Sequence, residues 1–106
     1  MRVLFISGEA RSRGPTAAQL FADQPGTRTD FAGTEPGADD AVSSEQIDWA
    51  DLILCMERRH ATRLNDRYPR QLRGKQVVVL DIRQRYSFMD PELIGELREK
   101  AGPHLG

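Results

Sequence analysis

The residues best placed to do chemistry lie close to the N-terminus, directly after a short apolar run at residues 3–6. Ser7 ends this run, a polar stretch with Gly8 and Gly14 follows, and Pro15 suits the first position of a helix. In a strand, glycine-bearing loop and helix of this kind, successive backbone N–H groups can converge on one point and bind an anion. The spacing therefore predicts an anion-binding loop.

Arg13 supplies the strongest anion ligand in this stretch. Its planar guanidinium suits bidentate contact with a phosphate group, and each charge-assisted hydrogen bond is worth roughly 1.5–3 kcal/mol. From spacing alone, a second interpretation stays open, in which the two glycines only shape a tight turn and Arg13 is solvated. The residues predicted to surround a bound oxyanion are Gly8, Glu9, Ala10, Arg11, Ser12 and Arg13.

Strand-like runs alternate with helical patterns along the whole chain. We predict strands at 2–7, 29–32, 52–56 and 77–80, and helices at 15–22, 43–50, 57–68 and from Asp90 onward. This alternation implies right-handed crossovers, and it predicts an α/β fold of three layers with a four-stranded parallel sheet and helices on both faces. The 106 residues suffice for one hydrophobic core, so a single domain over 1–106 is expected.

Composition excludes several classes of protein. With Cys55 as the only cysteine, an internal disulfide and a four-cysteine metal site are impossible. His60 and His104 are isolated and are expected at the surface rather than as metal ligands, so no metal or cofactor is predicted. No run approaches the ~20 apolar residues of a membrane span, and the N-terminus does not resemble a signal peptide, so no membrane partner and a cytoplasmic location are expected.

The predicted helix at 57–68 is rich in arginine. The helical spacing of these arginines is typical of a solvated face, although it could also attract anions or an acidic partner protein. Nucleic-acid binding is not favoured, because the formal net charge is only −1. The four residues are Arg58, Arg59, Arg63 and Arg67.

Four patches, in order along the chain, resemble the low-molecular-weight protein tyrosine phosphatases, closest to a compact bacterial branch. Ser7 and Arg13 have the separation of that family's cysteine and arginine, in the same strand-loop-helix setting and with a matching proline. Residues 32–34, Ala-Gly-Thr, resemble the family's Ser-Ala-Gly-Thr, and residues 53–56 resemble its third strand. Asp90 and Pro91 resemble the Asp-Pro of its general-acid loop.

The resemblance implies a role for each matching residue. Ser7 stands at the nucleophile position, Arg13 at that of the arginine that holds the equatorial phosphate oxygens, and Asp90 at that of the aspartate that protonates the leaving group. Asp90 before a proline is also typical of an ordinary helix N-cap, and both roles stay open. Tyr86 and Phe88 could form the walls of a phenyl-sized pocket or pack in the core.

Three departures from the family pattern coincide in the loop, and together they favour natural divergence over an engineered change. Ser7 replaces the cysteine, Ala10 stands where an asparagine usually braces the loop, and Gly14 stands where a serine usually steadies the thiolate. A pKa shift of about 3–5 units, the usual limit, leaves a serine hydroxyl protonated, so it needs a general base. Loss of the nucleophile costs on the order of 10⁶-fold in rate in another covalent hydrolase.

The leading hypothesis is a phosphatase-like protein with impaired or absent hydrolysis that retains binding of phosphate or a phosphotyrosine-like group. A second hypothesis is an active phosphatase, with a native cysteine at position 7 or with a serine or water mechanism. A third is a protein-interaction module that docks an acidic partner on the arginine-rich helix and keeps a vestigial site. Cys55 is expected to be a buried strand residue.

Overall fold

The computed structural model describes residues 1–105 and contains four strands and four helices, followed by one turn of 3-10 helix. The strands are β1 (Arg2–Ser7), β2 (Arg28–Gly33), β3 (Leu52–Cys55) and β4 (Gln76–Val79). The helices are α1 (Arg13–Leu20), α2 (Ser44–Trp49), α3 (Arg58–Arg67) and α4 (Pro91–Lys100), and the 3-10 turn covers Gly102–Leu105. Each strand is followed by a helix, as the sequence predicts.

The four strands form one parallel sheet in the order β2-β1-β3-β4. The central strand β1 is apolar and its residues 3–6 are fully buried, as expected of a strand covered on both faces. The predicted three-layer α/β fold is confirmed. Among residues 1–105, none of the helices has the length and apolar character that a membrane crossing requires.

The alternation of side chains along β1 divides the core between the two faces of the sheet. Val3 and Phe5 belong to one buried cluster, which includes Ala17 of α1 and Leu93 of α4. Leu4 and Ile6 belong to the other, which includes Ile47 of α2 and Leu64 of α3. The apolar stripe of each helix therefore packs against its own face of the sheet.

The structure shifts some of the predicted boundaries. Helix α1 begins at Arg13, two residues before the predicted start at Pro15, so Arg13 lies in its first turn. Strand β4 begins and ends one residue earlier than predicted. The predicted capping box of α2 is confirmed, because the Ser43 hydroxyl accepts the Gln46 N–H and the Gln46 side chain accepts the Ser43 N–H.

The carboxyl ends of the strands meet at one edge of the sheet, and the loops that follow them pack closely there. Gly33, at the end of β2, lies against the loop after β1. A Cβ atom at Gly33 would lie 2.4 Å from the Gly8 carbonyl oxygen and 2.7 Å from the Ala38 Cβ, and both contacts are too short. Glycine is therefore required at Gly33 by close packing.

We expect Gly33→Ala to lower the free energy of unfolding by about 1–3 kcal/mol, the usual cost of overpacking, because the clash is with backbone. Gly37→Ala is the matched control, since a Cβ atom there meets no atom within 4 Å. Urea denaturation of both variants measures the difference. Equal stability of the two variants would contradict the packing described here.

Candidate functional site

The segment that follows β2 binds carbonyl groups of Ser7 and of the loop between β1 and α1, residues 8–12. The accepting carbonyls and their donors are Ser7 with Thr34 N–H (3.0 Å), Gly8 with Glu35 N–H (3.0 Å) and Glu9 with Asp39 N–H (3.0 Å). Within residues 1–105, the N–H groups of residues 8–12 donate to no protein acceptor. These N–H groups are therefore free for an anion, as the loop prediction requires.

Ser7 lies at the end of β1, beside the first turn of α1. Its side chain is buried, and its Oγ has no hydrogen-bond partner among the described residues. A Cβ atom at Gly14 would lie 3.2 Å from this oxygen. The Ser7 hydroxyl therefore faces a helix N-terminus, where developing negative charge is favoured.

Arg13 is the largest fully buried polar side chain of the site. Its Nη1 donates to the Glu57 carboxylate (2.6 Å) and to the Ile82 carbonyl (2.6 Å), whereas its Nε has no partner among residues 1–105. Burial lowers the pKa of Arg13, and the bond to Glu57 opposes this shift. The guanidinium is thus fixed on one side and retains a free N–H donor.

Glu57 anchors Arg13, and the sequence analysis did not identify it. Its carboxylate binds Arg13 and also accepts from Arg59 at 3.2 Å. Burial acts to raise the pKa of Glu57, but the two arginines outweigh it and hold the pKa below its usual value. The available signal was the position of Glu57, two residues beyond the carboxyl end of a buried strand, where such sheets bind ligands.

The prediction that His60 lies at the surface is wrong, because its side chain is fully buried. Its Nδ1 accepts the Glu57 N–H (3.0 Å), so the neutral imidazole carries its proton on Nε2. This Nε2 has no partner among the described residues and lies 3.6 Å from the position of a Cβ atom at Gly8. Burial, followed by the charge of Arg13, lowers the pKa of His60 to about 4.

An open cavity of about 340 Å³ lies over the loop. Its lining residues are polar or charged, apart from a glycine: Gly8, Glu9, Arg13, Glu35, Arg59 and Gln84. At its edge, the exposed Arg11 binds the carboxylates of Glu9 (2.9 Å) and Asp39 (3.3 Å). Glu9 is therefore engaged at the surface with Arg11.

Gln84 connects the loop after β4 to the loop after β1. The Ser12 hydroxyl and the Gln84 amide are hydrogen-bonded, with Gln84 Nε2 donating to Ser12 Oγ at 3.2 Å. The Ile82 carbonyl, two residues earlier, accepts from Arg13. The segment after β4 therefore forms one wall of the candidate site.

Ala10 adopts a backbone conformation that alanine disfavours. Its φ is +60°, in the left-handed region, which costs an L-residue roughly 1–2 kcal/mol. Asparagine tolerates this region better than alanine does, and asparagine is what the resemblance implies at this position. The left-handed geometry of the loop therefore persists although the residue that suits it is absent.

The other residues singled out from the sequence are not among those that line this cavity. Asp90 is the N-cap of α4, where its Oδ1 accepts the Glu92 N–H (2.9 Å), and it does not line the cavity. Tyr86 is buried in the core and donates to Glu96, while Phe88 is half exposed. Cys55 is buried in β3, as predicted, and burial raises its pKa to about 12.

The arginines of α3 lie on a largely exposed face, as the sequence predicts, and three of them also have partners within the chain. Arg59 binds Glu57, Arg63 binds Glu35 (2.8 Å), and Arg67 donates to the Thr34 carbonyl (3.0 Å). Arg63 and Arg67 thus hold the segment after β2, whose N–H groups in turn hold the loop.

Neither a protein-family model nor a curated protein matches this sequence. Solved structures do match it. The tyrosine phosphatase Wzb from Escherichia coli K30 in complex with phosphate superposes with a TM-score of 0.79 and 19% identity, over 97% of this chain and 94% of that one. A low-molecular-weight protein tyrosine phosphatase from Streptococcus pyogenes superposes with a TM-score of 0.76 and 13% identity, over 98% and 90%.

A third similar structure is a cysteine-to-serine mutant of the YwlE arginine phosphatase, with a phosphorylated active-site serine. It superposes with a TM-score of 0.70 and 21% identity, over 97% of this chain and 95% of that one. The chain therefore has the fold of the low-molecular-weight protein tyrosine phosphatases.

The burial of His60 predicts a pH dependence of stability. Its pKa is about 4 in the folded protein, against 6.5 for an unperturbed histidine. Its contribution is complete above pH 6.5 and is lost as the pH falls towards 4, so stability should decrease over this interval by up to about 3 kcal/mol. Denaturation at several pH values, with proton NMR titration of the imidazoles, measures both quantities.

His104→Gln leaves His60 as the only histidine and makes the NMR assignment unambiguous. A His60 signal that titrates near pH 6.5 would contradict the buried, neutral imidazole described here.

Proposed function

We propose that this protein is a phosphatase-like oxyanion-binding protein, in which residues 8–13 hold phosphate or a phosphotyrosine-like group and hydrolysis is impaired because Ser7 stands at the nucleophile position. The observation that carries the proposal is the loop itself. Its carbonyls are held outward and its N–H groups are unpaired, while Arg13 keeps a free Nε–H beside it. Each of these donors is independent of a thiol, so binding survives the loss of cysteine.

The surroundings of Ser7 support impaired hydrolysis. A serine nucleophile needs a general base within hydrogen-bond reach, and Ser7 Oγ has no hydrogen-bond partner among residues 1–105. His60, the nearest imidazole in sequence, has its only basic nitrogen occupied by the Glu57 N–H. Glu9 pairs with Arg11 at the surface.

Asp90 is proposed as the proton donor only on the basis of the family resemblance. Its carboxylate caps α4 in the structure, and the cavity lining contains Gln84 instead. The proposal therefore assigns oxyanion binding to the loop and to Arg13. It assigns protonation of the leaving group to Asp90 only in the Ser7→Cys variant.

Ser7→Cys should produce hydrolysis of p-nitrophenyl phosphate at pH 5–7, because a thiol beside a helix N-terminus and Arg13 ionises far more readily than a serine hydroxyl. The parent protein should show no detectable hydrolysis, by analogy with the loss of order 10⁶-fold in another covalent hydrolase. Steady-state kinetics of both proteins, with Ser7→Ala as the matched control, measures the difference.

The reactivity of the thiol in Ser7→Cys can also be measured directly, by alkylation. Cys55 is fully buried with its pKa raised to about 12, so it should resist alkylation in the parent. Rapid labelling of Ser7→Cys by iodoacetamide at pH 6, blocked by phosphate, would identify a reactive thiol in the loop. Turnover by the parent protein that recurs in independently purified preparations would instead establish an active phosphatase with another mechanism.

A second candidate function is a stable phosphoenzyme. The mutant of the YwlE arginine phosphatase with serine in place of cysteine contains a phosphorylated active-site serine, and Ser7 has an unpaired Oγ. In this reaction the Ser7 oxygen would attack the phosphorus of a phosphomonoester or phosphoramidate, the bond from phosphorus to the leaving group would break, and the hydroxyl proton would pass to the leaving group.

Incubation with phosphoramidate or p-nitrophenyl phosphate should then add one phosphoryl group to the intact protein, with Ser7 as the modified residue. Intact-mass and peptide mass spectrometry measure this, and Ser7→Ala should stay unmodified. An unmodified parent would exclude this candidate and leave oxyanion binding without transfer.

A further inference from the structure

A second cavity, of about 500 Å³, lies beside the one over the loop and shares Arg59 with it. Its lining residues are Glu57, Arg58, Arg59, Asp81 and Arg83. Three of these five residues are arginines, contributed by the first turn of α3 and by the segment after β4. We refer to Arg58, Arg59 and Arg83 as the basic ledge.

The positive charge of the basic ledge is only partly neutralised. Glu57 is already engaged by Arg13 and Arg59. Arg58 and Arg83 form no salt bridge within residues 1–105, and both are exposed. The remaining carboxylate in the cavity, Asp81, forms no salt bridge within residues 1–105 either. An anion that enters this cavity therefore meets the guanidinium groups of Arg58 and Arg83, which have no salt-bridge partner in the described part of the chain.

The stability of α3 does not explain why Arg58 and Arg59 stand at its first two positions. They occupy the first two positions of α3, at the positive end of the helix dipole, where a cation is disfavoured by about 0.3–1 kcal/mol. Asp or Glu is the stabilising choice in a first turn. A bound anion would reverse this penalty, since it would pair with the arginines and with the dipole together.

We propose that the basic ledge is a subsite for a second anionic group of the ligand whose phosphoryl group is held by the loop, and that this ligand is an acidic peptide segment. The inference rests on the proposed function for the position of the phosphoryl group. The two cavities meet at Arg59, so one extended ligand reaches both. An extended peptide advances about 3.3–3.6 Å per residue, which puts a carboxylate within a few residues of the phosphorylated one.

Charge complementarity argues for peptide carboxylates as the occupant. The cavity is open and its walls are charged side chains, so it suits flexible acidic side chains that keep part of their hydration. Guanidinium groups match carboxylates in a bidentate geometry. Ion pairs at such exposed positions are individually weak and are screened by salt, so the subsite should tune affinity rather than create it.

The test compares two synthetic phosphotyrosine peptides of equal length, flanked either by glutamates or by glutamines, in fluorescence anisotropy titrations. The glutamate peptide should bind about fivefold to tenfold tighter at low salt, from two or three exposed ion pairs, and the difference should shrink in high salt. Arg58→Glu and Arg83→Glu should each reduce the preference. Arg70→Glu, the same charge change at an exposed arginine outside both cavities, should keep it.

Two controls make the outcomes separable. Arg58→Glu places an acid in the first turn of α3, so its melting temperature should stay equal or rise, and lost preference cannot then come from unfolding. Inorganic phosphate should bind the parent and all three variants equally, since the loop is unchanged. Absence of phosphate binding in the parent would be a failure of the proposed function.

With phosphate binding intact, equal affinity for the two phosphopeptides would overturn the subsite. So would a preference that persists in both Arg58→Glu and Arg83→Glu. A glutamate peptide without the phosphoryl group, or a single-stranded oligonucleotide of the same charge, that binds as tightly as the glutamate phosphopeptide would also overturn it, because the ledge would then be an unspecific polyanion surface.

Discussion

The site depends on the buried guanidinium of Arg13. Its Nη1 connects the first turn of α1 to the carboxylate that follows β3 and to the carbonyl of Ile82 after β4. A buried charge is tolerated only when it is paired and hydrogen-bonded, and breaking such a pair typically costs about 3–5 kcal/mol. These two hydrogen bonds therefore fix the positions of Arg13, Glu57 and Ile82 relative to one another, and they fix the end of the loop that precedes Arg13.

In the proposed function, oxyanion binding and bond cleavage depend on different groups. The proposed oxyanion donors are the backbone N–H groups of residues 8–12 and Arg13, and the carbonyls on the opposite side of the loop are satisfied by the segment after β2. Cleavage in that proposal depends in addition on the nucleophile at position 7 and on the proton donor assigned to Asp90. The loop also keeps a left-handed backbone at Ala10 without the asparagine that the family resemblance implies there.

Local patterns made much of the fold predictable. The buried run of β1, the glycine-bearing loop and the capping box at Ser43 are each specified by neighbouring residues, and the structure has all three. The position of Glu57 just after a buried strand was a usable signal, but its pairing with Arg13 and the burial of His60 were not predictable, because they depend on strand order. The sequence does not show that β3 lies next to β1, and that adjacency brings Glu57 to Arg13 and buries His60.

The same limit applies to Gly33 and Gln84. The requirement for glycine in Gly33 comes from the Gly8 carbonyl, 25 residues earlier in the chain. Gln84 reaches Ser12 only because β4 ends at the same edge of the sheet as β1. The sequence therefore identified candidate residues that lie near one another along the chain, such as Ser7 and Arg13. It did not identify the residues that reach the site through tertiary packing.

If the loop binds an oxyanion without a thiol, isothermal titration calorimetry with inorganic phosphate should detect that binding. We expect saturable binding to the parent protein, with the same affinity in Ser7→Ala, because the proposed donors are backbone N–H groups and Arg13. Absence of heat and of any phosphate-dependent rise in melting temperature, in a protein that is folded by circular dichroism, would contradict it.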